Sequence, residues 1–82
     1  MTEQQLIDYG FNKIQEDDFY YYEYDIAGLG FITQADDEVV DGEWHVYMFE
    51  FGDAFKFESI EDVADILRIL RKVKVAKEGE TA

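Results

Sequence analysis

Phe19-Tyr20-Tyr21-Tyr22-Glu23-Tyr24-Asp25-Ile26 is the stretch on which the fold turns. Aromatic side chains dominate it, and such residues favour a pleated, half-buried strand. Strand side chains alternate between faces, so Tyr20, Tyr22, Tyr24 and Ile26 share one side. The other side runs from apolar to charged through Phe19, Tyr21, Glu23 and Asp25. Upstream, Glu16-Asp17-Asp18 reads as a turn and Phe11–Gln15 as a first strand. Further upstream, Thr2-Glu3-Gln4-Gln5 fits a capping box, and Leu6 and Ile7 give a short helix its apolar patch. Gly10 is placed to stop that helix.

Downstream, Ala27-Gly28 is a turn signal and Leu29–Gln34 a third strand. An acidic loop, Ala35–Glu43, ends in Asp41-Gly42, a favoured hairpin pair. Trp44–Phe51 reads as a fourth strand, with Trp44, Val46 and Met48 on one side and His45, Tyr47, Phe49 and Phe51 on the other. Gly52-Asp53 turns the chain, and Phe55-Lys56-Phe57 is a short fifth strand or the approach to the last helix. Ser59 caps that helix, with Asp62 in the position of a capping-box acid. Ile60, Val63, Leu67 and Leu70 form its apolar stripe, widened by Ile66, Ile69 and Val73. Acids at its start and bases at its end complement the helix dipole. Periodicity is lost from Val75, so the expected division is one domain over 1–75 and a flexible tail over 76–82. Consecutive hairpins favour a meander. The expected fold is therefore α+β: an antiparallel four- to five-stranded meander flanked by a short N-terminal and a longer C-terminal helix, both packed on one face.

The chain has 82 residues, 48% hydrophobic and 17% aromatic, with a net charge of −13. Disordered acidic chains are poor in aromatics, so this one is expected to fold. The charge is uneven. Residues 1–67 hold 18 acids against Lys13 and Lys56, a net −16, whereas residues 68–82 hold five bases and two acids, a net +3. Direct binding to nucleic acid or to an anionic membrane is disfavoured, because both require basic footprints. No basic leader with an apolar core opens the sequence, and a reducing cytoplasm is the expected compartment. With no cysteine there is no disulfide, thiolate site or thiol nucleophile.

Chemistry-bearing motifs are sparse. An EF-hand loop started at Asp37 would put Val39 at its third position and Met48 at its twelfth, and so fails. His45 is the only histidine and has no nitrogen or sulfur ligand to join it at a metal. Ser59, the only serine, is explained as a helix cap. Gly28-Leu29-Gly30 lacks the rest of a dinucleotide fingerprint. No enzyme, metal or cofactor is expected.

What folding leaves unexplained is acidity in the hairpin loops together with surplus aromatics. Two helices cover one sheet face, so the other must present aromatics with polar tips, a composition typical of interface hot spots. The candidate partner-binding residues are Asp17, Asp18, Tyr20, Tyr22, Glu23, Asp25, Asp36, Asp37, Glu38, Asp41 and Glu43; the aromatic anchors are Tyr20, Tyr22 and Tyr24 or, on the other face, Tyr21 and Tyr47. If hairpin ends gather on one edge, the Asp17-Asp18 turn meets the loop after Gln34. A plain solvated surface also accounts for the acids. The functional expectation is a surface steering onto a basic protein, nucleic-acid mimicry being its specific form. The alternative is a homo-oligomeric or scaffold domain pairing through its aromatic face.

Leu6-Ile7-Asp8-Tyr9-Gly10-Phe11, Asp18-Phe19-Tyr20-Tyr21-Tyr22, Gly28-Leu29-Gly30-Phe31-Ile32-Thr33, Asp41-Gly42-Glu43-Trp44 and Ile66-Leu67-Arg68-Ile69-Leu70-Arg71-Lys72 together resemble small proteins of bacteriophages and mobile elements. That resemblance implies an inhibitor of host defence, of anti-CRISPR or anti-restriction type, acting in the host cytoplasm on a nucleic-acid-binding protein. It carries over no defined functional residue.

Overall fold

The computed structural model describes residues 1–26 and 28–72. Helix α1 (Glu3–Tyr9) starts where the Thr2 hydroxyl accepts the Gln5 amide at 3.1 Å and the Gln5 side chain accepts the Thr2 amide at 2.9 Å. This reciprocal pair satisfies two donors that the first helical turn cannot satisfy itself. Gly10 ends the helix at φ 115°, a left-handed conformation that penalises a Cβ.

Five antiparallel strands follow in sequence order: β1 (Asn12–Gln15), β2 (Tyr20–Ile26), β3 (Leu29–Thr33), β4 (Val46–Met48) and β5 (Lys56–Phe57). Tyr24 lies opposite Phe31, Phe31 opposite Met48, and Val46 opposite both Thr33 and Phe57. That register places Tyr20, Tyr22, Tyr24, Phe31, Val46 and Met48 on a single face. Helix α2 (Ile60–Lys72) covers it together with α1: Leu6 from α1 and Val63 and Leu67 from α2 are fully buried in one cluster with Tyr22, Phe31 and Val46. Burying each such side chain contributes about 1.5–3 kcal/mol. The fold is thus a two-layer α+β meander with both helices on one side.

Two long-range ties close the helical layer. The Met1 ammonium donates to the carbonyls of Trp44 at 3.0 Å and Glu58 at 2.9 Å, with the Glu43 carboxylate 3.5 Å away. At the other end of α2, Arg71 donates to the hydroxyls of Tyr9 and Tyr24, linking α2 to α1 and β2. Ser59 accepts the Asp62 amide at 3.1 Å, so the cap expected for α2 forms. On its stripe Val63 and Leu67 are buried, whereas Ile69 is 46% exposed and belongs to the outer face.

The fourth strand is shorter than its alternation suggests. The ladder stops at Met48, and Phe49–Ala54 coils into a 3-10 helix. Beyond Phe31, Gly30 and Leu29 stay paired with β2 but take no partner from β4. The Gly30 amide donates to the Glu50 carboxylate at 3.3 Å instead. Trp44 and His45 precede the strand, and β3 ends at Thr33 rather than Gln34. The acidic loop contains a 3-10 turn, Asp36–Glu38, then a tight turn with Asp41 at φ 57° and Gly42 at φ 72°, closing a Val40–Glu43 bridge. Positive φ at both central positions is what a twisted two-residue hairpin demands. Ala27, Val73 and the 75/76 boundary with its tail lie outside the described residues. No helix among the described residues is long and apolar enough to cross a membrane.

Candidate interaction face

The face opposite the helices is built by the alternate positions of the same strands. The register sets Ile14 against Tyr21, Glu23 against Ile32, and Ile32 against Tyr47. All are half-buried, lying side by side with neither helix over them. Two clefts share Tyr21 and Ile32 as a common wall and so form one trough. One cleft, about 530 Å³, is edged by Phe19, Glu16, Asp37 and Glu38. The other, about 320 Å³, is edged by Glu23, Asp25, Glu50 and Phe49. Carboxylates therefore flank an apolar centre at both ends. Among the described residues, Lys56 is the base on this face; it stands at the β5 edge with Glu58 at 3.4 Å. Lys13 sits on the opposite side, its Nζ 4.0 Å from the Tyr20 ring centre.

The residues proposed from sequence divide sharply. Glu23 and Asp25 edge the trough, as does Asp37. Asp17 and Asp18 are exposed in the β1–β2 turn, which the Glu16 amide closes on the Phe19 carbonyl at 2.8 Å. That turn does meet the loop after Gln34, because Asp36 accepts the Tyr20 amide at 2.8 Å. Asp36 is thereby engaged in the fold. Glu38 accepts the Ala35 amide at 3.2 Å while still facing the trough, and Glu43 attends the Met1 ammonium. Asp41 is exposed in its turn and borders a third cleft with His45, Tyr47 and Lys56, which adjoins the trough at Gln34 and Glu38.

Tyr22 and Tyr20, expected at the partner surface, lie instead on the helix-covered face. Tyr22 is 2% exposed beneath α1, and its hydroxyl donates to the Glu3 carboxylate at 2.6 Å. Burial first, and then this bond, hold its proton well above the usual tyrosine range. Its ring offers no surface to a partner. Tyr20 is half-buried on the same side, stacked 6.0 Å from Trp44. Tyr24 likewise packs against Tyr9 and Phe11. Their period-2 spacing put these three tyrosines on one face correctly, but that face belongs to the helices. Tyr21 and Tyr47 occupy the open one.

Phe49, Glu50 and the central Ile32 are among the trough residues that sequence reasoning missed. Phe49 is 68% exposed, and Phe51 and Phe55 on the same connection are 49% and 50% exposed. The signal was present in Phe49-Glu50-Phe51, an acid between two phenylalanines in a segment read as strand, with both rings on the side away from Trp44. Among the described residues no group of three or more His, Asp or Glu is arranged to hold a metal ion. No protein-family model, curated protein or solved structure matches this chain.

Proposed function

We propose that this protein is a small acidic binding protein that lays its open sheet face on a basic, nucleic-acid-binding protein and thereby inhibits it, in the manner of an anti-CRISPR or anti-restriction protein. The observation supporting this is the trough itself: Tyr21 and Ile32 at its centre, carboxylates at both ends. Apolar surface left uncovered at the middle of a sheet marks an interaction site, and the surrounding acids select a basic occupant. Long-range attraction from a chain of net −13 accelerates encounter with such a partner and makes binding fall with salt. A second copy fits the same face poorly, since its carboxylates would meet their own kind.

Phage plating on hosts carrying a CRISPR or a restriction system tests the reading. Expression of the wild-type chain restores plaquing, and the Tyr21→Ala variant does not. Unchanged interference in every host carrying such a system overturns it.

A further inference from the structure

Resting on that reading, we infer that the smaller cleft of the trough takes an arginine side chain of the partner. The cleft is lined by Tyr21, Glu23, Asp25, Gly30, Phe49 and Glu50 and measures about 320 Å³. This is the low end of the range for small-molecule sites, roughly 300–1,000 Å³. It suits one long side chain. The wall is aromatic, with Phe49 68% exposed beside it. The rim is three carboxylates, with no base among the described lining residues. An apolar wall with an anionic rim matches a guanidinium better than an ammonium. The guanidinium is planar, weakly hydrated, stacks on aromatic rings and meets carboxylates in a two-pronged fashion.

Two local features keep the cleft open and its rim in place. The Gly30 amide donates to Glu50 Oε1 at 3.3 Å, drawing that carboxylate toward the strand. Gly30 itself carries no side chain where one would intrude: a Cβ there would meet Asp25 Oδ1 at 3.3 Å and Phe49 Cβ at 3.6 Å. Its φ is not positive, so the glycine is not required by the backbone. What its absent side chain provides is space between an acid and an aromatic ring.

Calorimetric titration of the full chain with octa-arginine and octa-lysine, at about 50 mM and about 500 mM salt, tests this. Octa-arginine binds about tenfold tighter than octa-lysine at low salt. Gly30→Val fills the cleft at unchanged charge; it removes that preference and leaves octa-lysine binding as it was. Glu23→Gln with Glu50→Gln, and separately Phe49→Ala, also remove it, which keeps the test decisive if the valine variant fails to fold. Equal affinity for the two peptides, or a preference untouched by all three variants, overturns the arginine subsite while leaving the acidic docking face standing. Absence of binding by either peptide at low salt overturns both.

Discussion

The two faces of the sheet are made from the same strands and nearly the same residue types, yet they have opposite fates. On one, Tyr22, Phe31 and Val46 are 2% exposed or less, sealed by Leu6, Val63 and Leu67. On the other, Tyr21, Ile32 and Tyr47, their immediate neighbours in sequence, lie half-buried with neither helix above them. Residue type therefore does not assign a role in this chain; the position of two helices does. The covered face holds the fold together, and the open face is available for work.

Paired substitutions separate the two faces. Phe31→Ala opens a cavity at the centre of the core and costs about 3–5 kcal/mol by urea denaturation. Ile32→Ala, one residue along, costs about 1 kcal/mol or less, because cross-strand contacts at an uncovered face are worth little more. Equal costs would erase the distinction. Tyr22→Phe removes a bond to a carboxylate and costs about 1.5 kcal/mol near neutral pH. It also changes the alkaline limb. The folded state holds the Tyr22 proton above its unfolded value, so this stabilisation is intact below about pH 10 and vanishes as pH rises through the folded value. A stability profile from pH 8 upward falls less steeply in the variant. Thr2→Ala removes the α1 cap and costs about 1 kcal/mol, read in the same denaturation experiment. Asp37→Asn, at the exposed rim, changes stability by less than about 0.5 kcal/mol but lowers the salt dependence of partner binding.

Much of this arrangement was legible in the sequence because its causes are local. The alternation through Tyr20, Tyr22 and Tyr24, the capping box at Thr2 and the Asp41-Gly42 turn each depend on a few adjacent residues. The rest depends on partners distant in the chain. The fourth strand stops at Met48, where the Gly30 amide across the sheet takes the Glu50 carboxylate, which Trp44–Phe51 alone does not reveal. Asp36 is engaged by an amide 16 residues away and Glu43 by an ammonium 42 residues away, so their place in the fold is invisible locally. Alternation also sorts tyrosines into two sets without saying which set the helices take. That ambiguity put Tyr20 and Tyr22 among the candidate anchors, and the buried Tyr22 hydroxyl on Glu3 resolves it. Glu23, Asp25 and Asp37 needed only a strand face or a loop edge, and they do border the trough.

Docking of a basic partner on the helix-free face is tested by backbone amide shift mapping during an octa-arginine titration of the isotope-labelled chain. The account predicts saturable shifts concentrated at Tyr21, Glu23, Gly30, Ile32 and Phe49, with α2 and the Asp41-Gly42 turn nearly silent. Shifts spread evenly over every exposed carboxylate, or centred on the Asp17-Asp18 and Asp41-Gly42 turns with the trough unmoved, would contradict it.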